Sequence, residues 1–345
     1  MSNTQQNPLP GVPKIESPFF EAFFNDDTPD QELVDIARRL NRDGMAVIEF
    51  PDPDASDIFE EIKASLTSAF DWNAWASGGA DMRVQDAWAY NTNVRRVAAN
   101  EAVRNLLTNL YGREAWPFQT LNFPVGTQQH MHTDSVHFSS MPERFMCGVW
   151  VAMEDIGPDQ GPLFYYPGSH RWPIYTNEHI GHRHADLLDT TQHVYEPMWR
   201  ALADAHGVKP KPIPMKKGQA AIWAANLIHG GNLHNDKSLT RWSQVTHYYF
   251  EDCSYYTPMR SDLPAGLVNY RSPFNIISGK PEQNMYLGHL VDNEHIARSA
   301  PGKSKRSDFD ATSYLLANKD VADAGHDAWD HYVKYGKMED RPLKP

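Results

Sequence analysis

The ten residues RWSQVTHYYF, Arg241 to Phe250, show the side-chain alternation that is typical of a β-strand. Short apolar or alternating runs precede this stretch, with turn residues and no regular helices between them: Phe118–Phe123, Phe145–Met153, Leu163–Tyr166 and Ala220–Ala224. Strands at this spacing predict an antiparallel sandwich or barrel rather than a parallel sheet. We therefore expect a mainly β core between residues 116 and 252, with helical additions on either side.

Helices are predicted on the amino-terminal side of this core. Apolar residues recur at helical spacing at Asp30–Asp43, after residues 51–56, and around Val97–Leu110. Gly44 is placed to end the first helix, and a strand is predicted at Ala46–Phe50. Residues 1–16 are rich in Pro and Asn without an apolar period, which predicts a disordered tail.

Three further segments depart from the β pattern. Residues 171–214 form a long insertion with five histidines and a helix predicted at Tyr195–Ala205, expected over one mouth of the core. Residues 299–307, SAPGKSKRS, predict a linker. Residues 308–345 predict two or three short helices, a module small enough that we expect it to dock on its own domain, on a second subunit or on another partner.

The composition excludes several classes of function. Lys and Arg number 32 against 44 Asp and Glu, and the resulting net charge of −12 works against binding to nucleic acid or to anionic membranes. No apolar run approaches the roughly 20 residues of a membrane span, and the first residues lack the apolar core of a signal peptide, so a cytoplasmic location is expected. The only cysteines are Cys147 and Cys253, so a metal site must use His and carboxylate ligands.

The motif His132-Thr133-Asp134 is the first candidate for metal binding. Residues i and i+2 of an extended segment lie on the same face, so this imidazole and this carboxylate can reach one ion. His229 follows the apolar run AAIWAANLI at the edge of a predicted strand and can supply a third ligand. Two histidines and one carboxylate suit Fe(II) with positions left open for oxygen chemistry, although Zn²⁺ can use the same three ligands.

Arg241 lies twelve residues after His229 and is the second candidate. A guanidinium that points into a barrel needs an anionic partner, and its planar fork suits a carboxylate. That partner is either an acidic side chain of the protein or the carboxylate of a co-substrate. Beside a candidate metal triad, we favour the co-substrate.

Between about Phe118 and Phe250 the chain resembles the phytanoyl-CoA dioxygenase family of Fe(II)/2-oxoglutarate oxygenases. The resemblance rests on these residues: His132-x-Asp134, Trp150 on the following strand, Gly161-Pro-Leu-x-x-x-Pro-Gly-Ser-His170, Lys217-Gly-Gln219, His229-Gly-Gly-Asn232 and Arg241. It implies a double-stranded β-helix core of the jelly-roll, cupin-like kind, within an oxygenase domain spanning residues 17–298. Gln219 departs from the Asp common at its position, and Gly231 from the Ser often found there.

The same resemblance implies roles for individual residues. The catalytic Fe(II) ligands would be His132, Asp134 and His229. Arg241, assisted by Ser243, would hold the distal carboxylate of 2-oxoglutarate, and the side chains implied to line the same pocket are Trp150 and Asn122. The remaining coordination position would serve O2, and the default reaction is hydroxylation of an unactivated C–H bond. Because Asp134 is present, no position is free for chloride, which disfavours a halogenase.

Other side chains near the motifs have weaker claims to a role. Three histidines are alternative ligands: His130, His137 and His234. Neither His130 nor His137 has a carboxylate two residues later, and His234 would lie unusually near Arg241 in sequence. Four residues are candidates for contact with the substrate, although each also fits a structural role: Tyr165, His170, Trp223 and His247.

The substrate is predicted from less specific features. The insertion sequence HIGHRHADLLDTTQH, residues 179–193, is polar and suits a small polar metabolite better than a fatty chain. Residues 309–343 resemble a short helical module appended to bacterial glycosyltransferases, which implies a glycan precursor or a glycan-pathway partner. The alternatives are an acyl-CoA hydroxylase with its CoA phosphates near the lysines at 209–217, a zinc hydrolase, and a non-catalytic barrel that binds or acts as a scaffold.

Overall fold

The computed structural model describes residues 7–78, 82–182, 192–299, 309–332 and 341–343 of the 345-residue chain. The chain divides into two compact units, Met1–Pro301 and Gly302–Pro345. Within the described ranges, no helix combines the length and the apolar character that a membrane crossing requires.

The described part of the first unit contains fifteen strands. Their bounds are β1 Met45–Glu49, β2 Val84–Gln85, β3 Ala115–Phe123, β4 Ser139–Met141, β5 Met146–Ala152, β6 Leu163–Tyr165, β7 Lys211–Ile213, β8 Gln219–Ala224, β9 His229–Gly231, β10 Ser243–Phe250, β11 Ser254–Tyr256, β12 Phe274–Asn275, β13 Lys280–Pro281, β14 Met285–Tyr286 and β15 His289–Leu290. The runs that the sequence predicted as strands from Phe118 onward all form strands, which confirms the mainly β core.

The helices lie mostly before and after these strands. Their bounds are α1 Phe20–Phe23, α2 Gln31–Asp43, α3 Ala55–Leu66, α4 Trp72–Ala76, α5 Thr92–Ala98, α6 Glu101–Tyr111, α7 Glu196–Ala205, α8 Asn293–Ser299, α9 Ala311–Ala317, α10 Lys319–Asp323 and α11 Ala328–His331. The helical region predicted around Val97–Leu110 divides into α5 and α6, because Asn100 caps a new helix by accepting the Val103 N–H.

Two antiparallel sheets build the core of this unit. The larger has six strands in the order β1-β8-β5-β10-β3-β2, and the smaller has three in the order β7-β6-β9. Side chains from both sheets line one shared cavity. This is the double-stranded β-helix, or jelly roll, with helical additions that the sequence predicted.

Strand β10 is buried along its whole length because the sheet is covered on both faces. On one face Gln244 donates to the Val94 carbonyl and Tyr248 donates to the Ala98 carbonyl, both on α5. On the other face Val245 and His247 reach the cavity. The strand therefore carries a structural face and a site-lining face at alternate residues.

Helix α2 follows its sequence signals closely. The Asp30 carboxylate accepts the Leu33 N–H at its start, and Gly44 ends it in the left-handed conformation with a φ of 78°. The helix buries Val34 and Leu40 in the core. The predicted helix Asp30–Asp43 and its glycine stop are confirmed.

The amino-terminal tail is more ordered than its composition predicts. Ile15 is completely buried, and the carboxylate of Glu16 forms an ion pair with Arg144. The prediction of disorder over residues 1–16 is therefore wrong for its last residues, since one apolar side chain and one buried ion pair fix them. Residues 1–6 lie outside the described residues.

The insertion and the carboxy-terminal region are described in part. Helix α7 confirms the helix predicted at Tyr195–Ala205, whereas residues 183–191 lie outside the described residues, as do residues 300–307 of the predicted linker. In the second unit α9, α10 and α11 surround a small core of Tyr314, Val321 and Ala328. Docking of this unit on a partner stays a prediction.

Candidate active site

The two imidazoles of the candidate triad are brought together by backbone pairing. His132 and His229 form an isolated antiparallel bridge in which each N–H donates to the other residue's carbonyl, at 2.8 and 2.9 Å. Residues paired in this way point their side chains to one face of the sheet. The two ring centroids consequently lie 4.4 Å apart, although the two residues are distant in sequence.

Hydrogen bonds orient both rings in the same manner. Nδ1 of His132 bonds the His130 carbonyl at 2.9 Å, and Nδ1 of His229 bonds the Leu227 carbonyl at 2.9 Å. A carbonyl only accepts, so each Nδ1 carries the proton and each Nε2 has a lone pair, to which the Gln129 amide donates at 3.3 Å in His132. Fixing the tautomer in this way leaves two Nε2 atoms available as metal ligands.

Asp134 completes the cluster. Its Oδ1 lies 3.7 Å from Nε2 of His132 and 4.0 Å from Nε2 of His229. The ligand atoms of the three residues all lie within 4.8 Å of one another, and all three side chains are buried. Asp134 begins a 3-10 turn, and the next residue, Ser135, donates its N–H to the Ala225 carbonyl, which anchors the turn against the end of β8.

The electrostatics of the cluster favour metal-binding protonation states. Burial, together with the neighbouring His229, lowers the pKa of His132 to about 3, so its imidazole is neutral at pH 7. Burial alone would raise the pKa of Asp134, but the three nearby imidazoles and the Trp223 indole lower it to about 2. A neutral imidazole and an ionised carboxylate are the forms that bind metals.

Trp223 holds the second oxygen of the carboxylate. Its indole Nε1–H donates to Oδ2 of Asp134 at 2.6 Å, which leaves Oδ1 facing the histidines. The Trp223 ring fits there because Gly148 is its partner on β5: a Cβ at Gly148 would lie 2.2 Å from the indole carbon Cζ2. His247 approaches the same Oδ2 at 3.7 Å while its Nδ1 bonds Oε1 of Gln119.

Arg241 lies at the other end of the cavity, completely desolvated. One guanidinium nitrogen donates to the Gly161 carbonyl at 2.7 Å, and Nε has no hydrogen-bond partner in the described part of the chain. Among the described residues, no carboxylate lies within 4.0 Å of this group. Burial lowers the pKa of Arg241 to about 10, so the group stays charged at pH 7. The Trp150 ring lies beneath it at 5.3 Å, and its Nε1 is also unpartnered.

A single cavity of about 260 Å³ joins the triad to Arg241. Its lining combines side chains of the triad and Arg241 with amides, histidines and apolar groups: Arg83, Gln85, Gln119, Leu121, Phe123, Thr127, Gln129, His137, Phe138, Trp150, Leu163, Gln192, Trp223, Gly230, Val245 and His247. Four of these side chains are glutamines. The sequence reasoning named none of the four, because neutral amides carry no metal-binding or anion-binding signature.

Four of the residues predicted to contact a ligand do not line the cavity: Asn122, Tyr165, His170 and Ser243. Asn122 is buried on the helix-facing side of β3, where its amide donates to Oε1 of Gln244 at 3.2 Å. The prediction that it lines the pocket is wrong, because Leu121 and Phe123 occupy the cavity face at alternate positions. Alternation alone could not decide the face, since β3 is buried on both sides.

The predictions for Tyr165 and His170 as substrate contacts are also wrong. Tyr165 pairs with His229 in the sheet but belongs to the apolar cluster that includes Met45 and Leu227. His170 is buried against the end of α2, where its Nε2 bonds the Asn41 carbonyl at 3.1 Å. Neither side chain lines the cavity, whereas Trp223 and His247 do.

The remaining histidines and Ser243 have distinct surroundings. His137 lines the cavity and bonds Gln192 at 3.3 Å. His234 instead accepts the Gly126 N–H outside the cavity, and His130 is mostly exposed. Ser243 lies on the site-facing side of β10, where its hydroxyl is 3.4 Å from the Arg241 carbonyl.

The two departures from the expected family pattern have local explanations. Gln219 donates to Glu49 and accepts the Lys216 N–H in a surface turn, away from the triad. At Gly231 a Cβ would lie 3.1 Å from both the Gln128 nitrogen and Oγ1 of Thr127. The loop before His132 therefore packs tightly against β9, and this close approach favours glycine over serine.

A jelly roll that presents two histidines and a carboxylate on one face has the ligand arrangement of non-haem iron oxygenases. Solved structures with this fold include the 2-oxoglutarate-dependent carbocyclase SnoK, with a TM-score of 0.53, 15% identity, and coverage of 75% of this chain and 95% of SnoK. The epimerase SnoN of the same pathway, nogalamycin biosynthesis, has a TM-score of 0.50, 18% identity, and coverage of 74% and 96%. At this identity the similarity shows the fold.

Sequence comparison identifies the family. The family model for phytanoyl-CoA dioxygenase matches residues 35–238, more than half of the chain. The chain therefore belongs to the phytanoyl-CoA dioxygenase family, whose enzymes are Fe(II)- and 2-oxoglutarate-dependent oxygenases that consume O2.

Two curated relatives match smaller shares of the chain. Phytanoyl-CoA dioxygenase domain-containing protein 1 of Danio rerio is 27% identical over 159 residues, which are 44% of this chain and 50% of the relative. Peroxisomal phytanoyl-CoA dioxygenase of Rattus norvegicus is 25% identical over 131 residues, 37% of this chain and 36% of the relative. The matches thus span half or less of each relative's length.

Proposed function

We propose that this protein is a non-haem dioxygenase that uses Fe(II), 2-oxoglutarate and O2 to hydroxylate a C–H bond of a small polar metabolite. The overall reaction converts the C–H bond, 2-oxoglutarate and O2 into a C–OH group, succinate and CO2. The observation that carries the proposal is one cavity lined both by a buried His-Asp-His cluster and by the buried guanidinium of Arg241, which has no carboxylate partner among the described residues.

The donor set suits Fe(II). His132, Asp134 and His229 would hold the metal through two Nε2 atoms and Oδ1, on one face, with the other coordination positions open to the cavity. The hydrogen bonds to the two Nδ1 atoms and from Trp223 to Oδ2 already orient all three ligands. Such outer contacts raise the affinity of a metal site and limit its rearrangement.

The surroundings of Arg241 suit a dicarboxylate. A charged group that is desolvated without a counter-charge is costly, and a ligand carboxylate would remove that cost. The unpartnered Nε–H offers a donor in the fork geometry that matches carboxylate oxygens. Arg241 would hold the distal carboxylate of 2-oxoglutarate, with Trp150 packed beneath the guanidinium and Ser243 adjacent on the strand.

When bound, Fe(II) and 2-oxoglutarate supply the oxidising power through oxidative decarboxylation of the co-substrate. The protein holds the metal and the co-substrate in position and keeps bulk water away from them. Apolar side chains such as Leu121, Phe123 and Val245 line the cavity that Arg241 and the triad share, which helps to exclude bulk water from it. Asp134 stays ionised and His132 stays neutral, so these ligands are ready without proton transfer.

The cavity lining favours a neutral, oxygen-rich substrate over a fatty chain. The amides of Gln85, Gln119, Gln129 and Gln192 reach the cavity, together with His137. Amides donate and accept hydrogen bonds without carrying charge, which suits hydroxyl groups. Some of these atoms already bond protein groups, such as Oε1 of Gln119 to His247, and a buried apolar chain would leave the others unpaired, at about 1–3 kcal/mol each. We therefore prefer a sugar-like or other polyhydroxylated metabolite to an acyl-CoA.

The proposal is tested by succinate formation from 2-oxoglutarate in the presence of Fe(II) and O2, first without and then with a panel of polyhydroxylated compounds. We expect the wild-type chain to form succinate and His229→Ala to form none. His289→Ala, which removes an exposed histidine of β15, should match the wild type. Absence of iron-dependent succinate formation under all conditions would leave the zinc-enzyme and non-catalytic alternatives.

A further inference from the structure

A second group of potential metal ligands lies at the surface beside the cavity. His130, in the loop before the triad, and His193 and Glu196, at the start of α7, have ligand atoms within 4.8 Å of one another. His130 and His193 are 58% and 70% exposed, whereas the Glu196 carboxylate beneath them is 11% exposed. This group uses none of the triad side chains.

The spacing of the three side chains is close to that of a metal tripod. Nδ1 of His130 and Nδ1 of His193 hydrogen-bond the Glu196 carboxylate at 3.0 and 2.8 Å, so each Nδ1 carries a proton that a bound metal ion would displace. Two ligands of a tetrahedral Zn²⁺ site, with metal–ligand bonds near 2.1 Å, are separated by about 3.4 Å, so shifts of a few tenths of an ångström suffice. Arg200 also approaches Glu196, at 3.8 Å, but it is 62% exposed and has room to move away.

We propose that His130, His193 and Glu196 form a second divalent-metal site, separate from the triad and selective for Zn²⁺-like ions. Two imidazoles and one carboxylate match the His₂Glu ligand set of zinc sites, whereas Mg²⁺ and Ca²⁺ prefer oxygen ligands. Because both histidines are exposed, a water molecule would fill the fourth coordination position of the ion.

Such an ion would connect the insertion, residues 171–214, with the loop that carries the triad residue His132. The carbonyl of His130 accepts the Nδ1–H of His132, a triad residue, and Gln192 donates to the same carbonyl at 3.4 Å. Gln192 also lines the cavity and precedes His193. Metal binding would therefore fix the start of α7, and with it one wall of the cavity, relative to the loop that orients His132.

The test is a Zn²⁺ titration of the metal-free full-length chain by calorimetry, with metal content measured after desalting. We expect two equivalents for the wild type and one for His193→Ala, Glu196→Gln or Asp134→Ala. His193→Ala carries little risk to folding because the side chain is exposed, and His289→Ala is the matched exposed control that should keep both equivalents. A second readout is hydrogen exchange of the α7 amides, which Zn²⁺ should slow in the wild type and in Asp134→Ala but not in His193→Ala.

Two results would overturn the proposal. If His193→Ala still binds two equivalents, or if the wild type binds only the ion that Asp134→Ala removes, the second site does not exist. The result is independent of the proposed oxygenase reaction, because neither readout requires turnover.

Discussion

At the scale of single residues, the structure separates groups that bind from groups that position. Arg241 is the group that binds under the proposed function, because it is charged, buried and without an acidic partner among the described residues. Trp223 is the clearest positioning group, since its indole orients Asp134 from outside the triad. The sequence predicted Arg241 as a carboxylate ligand and Trp223 as a substrate contact. It did not predict the bond from Trp223 to Asp134, because a hydrogen bond between β8 and the turn at Asp134 leaves no sequence pattern.

Replacing Arg241 by glutamine tests the binding role. We expect Arg241→Gln to weaken 2-oxoglutarate binding by about 2–5 kcal/mol, since a buried charge-assisted pair is lost. Binding is measured as the concentration dependence of succinate formation, with Arg42→Gln as a surface control. Unchanged dependence on 2-oxoglutarate in Arg241→Gln would contradict this assignment.

Replacing Trp223 by phenylalanine tests the positioning role. Trp223→Phe keeps an aromatic ring but removes the N–H that holds Oδ2 of Asp134, so Fe(II) affinity should fall roughly 10–100-fold. Trp72→Phe is the matched control, because the Trp72 indole donates to the Thr67 carbonyl away from the site. Affinity is measured by anaerobic Fe(II) titration, and equal values for the two variants would rule out a role for the indole N–H.

At the scale of elements, strand pairing explains how distant residues meet. The runs of alternating and apolar residues predicted the strands of the core, and the pairing of β8 with β5 places Trp223 opposite Gly148. Which face of a strand meets the cavity was not predictable for β3, because helices cover the far side of the sheet and both faces are buried. Asn122 is the residue misplaced for that reason.

A methyl group at Gly148 probes the contact between β5 and β8. Gly148→Ala would place Cβ within 2.3 Å of two indole atoms of Trp223, so we expect a loss of about 1–3 kcal/mol in stability together with weaker Fe(II) binding. Gly157→Ala is the control, since its Cβ would meet only Oε1 of Gln160 at 3.4 Å. Urea unfolding and Fe(II) titration check both effects, and wild-type values of both quantities in Gly148→Ala would show that the strands adjust freely.

Removing the amide of Asn122 tests its reassignment to the structural face. Asn122→Ala should lower stability by about 1–3 kcal/mol, because it leaves the buried Gln244 amide oxygen without its donor. The dependence of succinate formation on 2-oxoglutarate should not change. A large rise in the 2-oxoglutarate concentration needed for turnover, without loss of stability, would instead return Asn122 to the co-substrate pocket.

At the scale of the whole molecule, buried histidines couple stability to pH. Burial, assisted by the positive charge of Arg171, lowers the pKa of His170 to about 4, below its value of about 6.5 in an unfolded chain. Above pH 6.5 both states are neutral. Between pH 6.5 and 4 only the unfolded chain takes up the proton, so the stability of the folded state decreases as the pH falls.

We therefore expect the free energy of unfolding to fall from about pH 6.5 toward pH 4, by up to about 1.4 kcal/mol per pH unit for this one group. His170→Gln should reduce the slope while keeping the pH 7 fold. Urea unfolding across this range provides the measurement, and an unchanged slope in the variant would show that His170 is protonated in the folded protein as well.

Anaerobic absorption spectroscopy shows whether the triad and Arg241 hold Fe(II) and 2-oxoglutarate together in one cavity. Chelation of Fe(II) by 2-oxoglutarate produces a visible charge-transfer band that neither component gives alone. We predict this band in the wild-type chain and in Asp155→Ala, an exposed control, and its loss in Asp134→Ala. A wild-type chain without the band, or an Asp134→Ala variant that keeps it, would contradict the account.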